Sequence, residues 1–114
     1  MRVHSYKDIE AQEAAEQGAS KLKVRWLITK EMGAPNFAMR LFEMEPKGNS
    51  PLHTHPWEHE VFILEGEGIL VGEDKERRLK AGDAVFVAPN ERHQFSNDGS
   101  KPLRFLCLVP HKRE

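Results

Sequence analysis

An antiparallel all-β domain is the fold class this sequence predicts, and three observations carry it. Apolar residues fall in short runs of strand length, with little sign of helical spacing after the first twenty positions. Turn-forming clusters punctuate those runs at intervals suited to a sandwich or barrel: Pro46-Lys47-Gly48, Gly72, Ala81-Gly82-Asp83, Pro89-Asn90 and Asn97-Asp98-Gly99. No segment recurs at a fixed solenoid period.

Taken in order, residues 8–17 hold good helix formers, with Asp8 placed to cap a short helix and Gly18 to stop it. Too few of them are apolar to form a buried face, so a peripheral helical lead-in is expected. Leu22–Thr29 and Phe37–Glu45 are expected strands, the second almost continuously apolar. His59–Glu65 reads as a strand ended by Gly66, and Gly66-Glu67-Gly68 as a turn into Ile69–Val71. Arg77–Lys80, Ala84–Val87, His93–Ser96 and Pro102–Val109 complete the series. The division this implies is an N-terminal segment with an edge strand over residues 1–35 and a barrel over residues 36–110.

With 114 residues the chain forms one core and not two. Hydrophobic residues make up 39% and charged residues 31%, an ordinary balance for a soluble domain. A net charge of −1, with Lys75, Arg77, Arg78 and Lys80 scattered among acids, argues against nucleic acid as a partner. The single cysteine, Cys107, allows no intrachain disulfide and suits a reducing compartment. No secretory leader and no run of about 20 apolar residues is present, so a cytoplasmic protein without a membrane span is expected.

The chemistry concentrates at His53-Thr54-His55-Pro56-Trp57-Glu58-His59, with His93 on a later apolar segment. Neutral imidazole is the commonest protein ligand for transition metals. Alternate residues on a strand share a face, so His53 and His55 project together, and His59 has the same parity. A histidine-rich polar loop is the bland alternative. Four of the six histidines border strand-like sequence in these two places, which favours a metal site. An antiparallel barrel would bring the two stretches side by side and shelter a polar site in its interior.

Two motifs here resemble those of the cupins. The first cupin motif runs Gly, five residues, His-x-His, three or four residues, Glu, six residues, Gly. His53, His55 and Gly66 fit it, with His59 in the glutamate's place and Lys47 where the leading glycine is expected. The second runs Gly, five residues, Pro-x-Gly, two residues, His, three residues, Asn. Gly82, His93 and Asn97 fit it, with Ala88 and Asn90 in place of proline and glycine. Asn tolerates positive φ better than other non-glycine residues, so the second exchange is mild. The resemblance covers about residues 36–109 and implies a double-stranded β-helix, or jelly-roll, barrel. It further implies four metal ligands, His53, His55, His59 and His93, as in small single-domain cupins whose site is all histidine. Glu60 is the rival ligand, and the interval to Gly66 favours His59 and turns Glu60 outward.

Four neutral imidazoles leave the full charge on a divalent ion and favour anionic or strongly polar oxygen ligands in the open positions. Imidazole suits zinc, copper, iron and nickel, while the cupin resemblance favours manganese or iron. On the last strand Phe105, Cys107 and Val109 share one parity, so Phe105 and Cys107 are candidate pocket residues. Cys107 is expected as a small buried wall residue, and Phe95 should share the face of His93. Arg40 interrupts an apolar stretch; it could hold a substrate carboxylate, but an outward position on a half-exposed strand or an ion pair with a neighbouring chain is the readier expectation. Trp57 is expected to shield the site or fill the barrel rim. His4 and His111, near the ends, are expected to be solvated.

The function expected is that of a metal-dependent oxidoreductase of the dioxygenase type, acting on a small oxygen-bearing molecule. A non-catalytic metal- or ligand-binding module is the alternative, because this superfold hosts both. A sugar or uronate isomerase is a third reading, weakened because no carboxylate or tyrosine is clearly placed as a general base. A homodimer is expected, with Leu22–Thr29 adding to a partner's sheet edge.

Overall fold

The computed structural model describes residues 1–111 and contains nine strands: β1 (Gln12–Glu13), β2 (Ser20–Ile28), β3 (Phe37–Asn49), β4 (His59–Glu65), β5 (Glu67–Val71), β6 (Glu76–Lys80), β7 (Ala84–Val87), β8 (Gln94–Ser96) and β9 (Leu103–Pro110). All pairings are antiparallel. The strands form one curled sheet in the order β6-β5-β8-β3-β9-β4-β7, with β2 on the other side of β3 and β1 beyond it. This is the jelly-roll barrel that the resemblance implies.

The helical lead-in does not form. A single 3₁₀ turn spans Tyr6–Asp8, and the chain then runs extended into β1. Asp8 does cap, but from the turn's third position: its carboxylate accepts the Ser5 N–H while Ser5 Oγ accepts the Lys7 N–H. The segment instead satisfies its backbone on β2, with Gln12 opposite Val24 and Ala14 N–H donating to Leu22 O at 2.9 Å. The other strands form within a few residues of their expected bounds, although β3 runs on to Asn49. No helix among the described residues is long and apolar enough to cross a membrane.

Burial follows the two-residue period. On β9 Leu103, Phe105, Cys107 and Val109 face inward while Arg104, Leu106 and Leu108 face out. On β4 His59, Val61 and Ile63 are buried and Glu60 is exposed. Met44, Ile63 and Leu103 are completely enclosed at the centre of the core, each worth about 1.5–3 kcal/mol of apolar burial.

Two departures from the cupin motifs now have physical explanations. Lys47, where the leading glycine is expected, has φ of +70°, so a lysine occupies a left-handed position that favours glycine. Asn90 likewise has φ of +66°. Gly66 cannot be replaced: a Cβ there would sit 2.3 Å from Pro102 O. Gly66 directly follows the last residue of β4.

Candidate metal centre

Backbone pairing brings the two histidine-bearing stretches together. His53 and His93 form an isolated antiparallel bridge, with His53 N–H donating to His93 O at 3.2 Å and His93 N–H to His53 O at 3.1 Å. Asn90 N–H donates to His55 O at 2.7 Å, and Ser50 N–H to Phe95 O at 2.8 Å, so the two loops are laced at several points. Directly opposed residues on an antiparallel pair present their side chains to the same face. The His53 and His93 ring centroids are 4.7 Å apart, and His55 lies 5.0 Å from His53 and 4.9 Å from His93.

His53, His55 and His93 each offer a nitrogen within 4.8 Å of the others, a spacing that could hold one metal ion. His59, at the start of β4, packs its ring 4.4 Å from His55 and 5.6 Å from His93. Glu60 points the other way, exposed on the outer face.

The rings are held in the form a metal requires. His55 Nδ1–H donates to Trp57 O and His93 Nδ1–H to Glu91 O, both at 2.8 Å. A carbonyl only accepts, so each proton is fixed on Nδ1 and the lone pair on Nε2. Those two Nε2 atoms are buried with no hydrogen-bond partner. A buried acceptor left unpaired costs about 1–3 kcal/mol, and a cation removes that cost. Backbone carbonyls orienting the far nitrogen are the usual outer shell of a metal-binding histidine. His53 Nδ1 faces the Glu16 carboxylate at 3.5 Å, the carboxylate version of the same arrangement. The donor set therefore fits a divalent transition ion.

Burial is the main reason that His53, His55 and His59 all have lowered pKa values, with neighbouring positive charge adding to it. For His59 the value falls to about 2, through burial first and then the charge of Arg40. At neutral pH the three rings are thus uncharged, as ligation demands.

The cluster stands between two spaces. The inner chamber, about 40 Å³, is walled mainly by apolar groups, among them Leu22, Phe42, Phe95, Phe105 and Cys107. The outer mouth, about 530 Å³, is lined by Trp26, Trp57, Thr54, Val109 and His111. Glu16, Arg40, His53 and His59 border both. The expected pocket residues Phe95, Phe105, Cys107 and Arg40 are thus all at the chamber. Trp57 stacks on His55 with ring centroids 4.5 Å apart, forming part of the rim.

Three sequence expectations need correction. Arg40 is not outward: it is 8% exposed and its Nη2 donates to Cys107 Sγ at 3.0 Å. His4 and His111 are not simply solvated, since His4 Nε2 is 2.7 Å from Leu27 O and His111 Nε2 is 2.7 Å from Ala34 O. A carboxylate does reach the site, namely Glu16. Its only signal was local, a polar residue just before Gly18, and nothing in the spacing pointed from there to His53. The connection is tertiary: Asn49 Nδ2 donates to Gly18 O at 2.7 Å and anchors this segment over the mouth.

The cupin domain family matches the chain over residues 40–109, the span that holds all four clustered histidines. The chain belongs to the cupin family. This cupin is 33% identical over 96 residues to the oxalate-binding protein of Thermotoga maritima, covering 81% of the chain and 78% of that protein. It matches the structure of the polyketide cyclase RemF of Streptomyces resistomycificus with a TM-score of 0.94 at 35% identity, covering 99% of the chain and 81% of the cyclase. It is also 30% identical over 95 residues to the tetracenomycin polyketide synthase protein TcmJ of Streptomyces glaucescens, spanning 82% of the chain and 62% of TcmJ.

Proposed function

We propose that this cupin is a metal-dependent enzyme acting on a small, oxygen-rich molecule, of the polyketide type carried by the names of two relatives. The observation that carries this reading is the pair of buried, partnerless Nε2 lone pairs on His55 and His93, fixed by their Nδ1 hydrogen bonds and set beneath an open mouth. His53, His55 and His93 would hold the ion, with His59 as the fourth ligand. All four being neutral, manganese, iron, zinc, nickel or copper would keep its full dication charge, with manganese or iron favoured on family grounds. Bound there, the ion supplies Lewis acidity toward a carbonyl or enol oxygen.

The chain's own residues do the rest. Trp57 and Trp26 offer flat apolar walls to a planar substrate in the mouth. Glu16 lines both spaces, and in this reading its carboxylate would accept a proton from a carbon beside the substrate carbonyl. Such proton removal is the first requirement of an aldol-type ring closure.

The chamber supports a second reading, dioxygen-dependent oxidation. Its apolar walls and its capacity for about three water-sized molecules suit a diatomic gas beside the histidines. One experiment separates the readings. Metal-loaded protein is incubated with 1,3-diketones in deuterated buffer, reading C2 exchange by NMR and oxygen uptake with an electrode. Exchange without uptake supports the cyclase-type reading, and uptake with oxidised product supports the oxidative one. Metal-dependent binding with neither would make the domain a binding module.

We also propose a homodimer. Supporting it, Phe37, Phe62, Leu64 and Phe86 stand 42–61% exposed on the outer sheet face.

A further inference from the structure

Arg40 is a buried cation with no ion-pair partner among the described residues. It is 8% exposed, its Nε is enclosed without an acceptor, and its one hydrogen bond goes to the Cys107 sulfur. Burial holds that thiol above its ordinary pKa, so the sulfur is a weak, uncharged acceptor. The rings of Phe42 and Trp26 lie 4.9 and 5.4 Å from the guanidinium and offset only part of its lost hydration. Among the described residues no carboxylate forms an ion pair with Arg40: Glu43, Glu65 and Asp98 pair with other arginines, and Glu16 faces the His53 ring. The neighbouring histidines offer no negative charge in any protonation state. An uncompensated buried charge is costly, and the cost is recovered when an anion arrives.

Its location says where that anion sits. Arg40 borders both the chamber and the mouth, beside His53 and His59, and Trp26 extends from its guanidinium to the rim. We propose that Arg40 is the anion-binding arm of the site, and that the substrate is a planar carboxylate or enolate with a second oxygen nearby. The second oxygen is held at the histidine cluster while the anionic oxygen takes the guanidinium hydrogen bonds. This rests on the metal-dependent reading for the second oxygen alone; the anion preference belongs to Arg40 itself.

The test uses the full chain and isothermal titration calorimetry with two matched pairs of probes. Salicylate against salicylamide is measured on zinc-loaded protein, and benzoate against benzamide on chelator-treated protein. The wild type should prefer the acid of each pair by at least tenfold. Arg40→Gln should abolish the preference while leaving zinc content unchanged, and Arg40→Lys should retain part of it. Circular dichroism checks that each variant is folded, and Arg40→Leu replaces Arg40→Gln if the latter is not. An equal preference in wild type and the neutral variants overturns the proposal, as does no preference in the wild type. If zinc fails to bind while benzoate is still preferred through Arg40, the anion site stands and the metal reading falls.

Discussion

Lowering the pH should destabilise the metal-free protein from an unusually high starting point, and His59 sets the size of the effect. Its pKa falls to about 2 in the folded chain, against an ordinary value of 6.5. Above 6.5 both folded and unfolded chains leave the ring neutral. Below it the unfolded chain takes up a proton that the folded chain refuses, so stability falls with pH throughout the interval between the two values. For this one group the loss is about 1.4 kcal/mol at pH 5.5 and about 2.7 kcal/mol at pH 4.5, at about 1.4 kcal/mol per unit. The first figure corresponds to roughly 5 °C in Tm for a domain of this size. His53 and His55 are shifted in the same direction and steepen the slope. Urea unfolding in the presence of a chelator at pH 7.5, 6.5 and 5.5 measures it. His59→Gln should remove about one proton's worth of the slope. A stability that is flat or rising as pH falls from 7.5 to 5.5, or a slope unchanged in His59→Gln, would refute the reasoning.

Three further outcomes are expected. Lys47→Gly should stabilise the fold by about 0.5–1 kcal/mol, read by urea unfolding, because relief of the left-handed strain exceeds glycine's extra chain entropy. Asn97→Ala should cost about 2–4 kcal/mol in the same assay: the side chain is 1% exposed and joins Met44 O, Lys101 O and the Gly99 N–H. Phe86→Glu, on the exposed outer face, should lower the mass seen by light scattering at micromolar concentration from dimer to monomer; a wild type that is already monomeric would contradict the proposed dimer.

The readable parts of this molecule were those governed by local period. Alternation along β4 and β9 gave the inward faces of His59, Phe105 and Cys107, and turn residues marked most strand ends. Motif spacing assigned His93 to the same site as His53 because the register of an antiparallel barrel converts sequence intervals into contacts. The illegible parts depended on contacts with no such period. The lead-in held helix-forming residues, yet β2 offered it a free edge, and sheet pairing prevailed over propensity. Glu16 reaches His53 only because that segment is anchored by Asn49. Arg40 sits on β3 with apolar neighbours, and nothing in its surroundings told whether its face was core or solvent until β2 and β9 closed on either side.

The proposed metal centre needs neutral imidazoles from two distant stretches to converge on one cation, and crystallography with anomalous scattering tests that most directly. After loading with zinc, one peak per chain should lie at about 2.0–2.1 Å from a nitrogen of each of His53, His55 and His93, with His59 closing the set. His93→Ala should abolish the peak, and Glu60→Ala should leave it in place. A zinc ion bound elsewhere, or a peak that survives His93→Ala unchanged, would contradict the account.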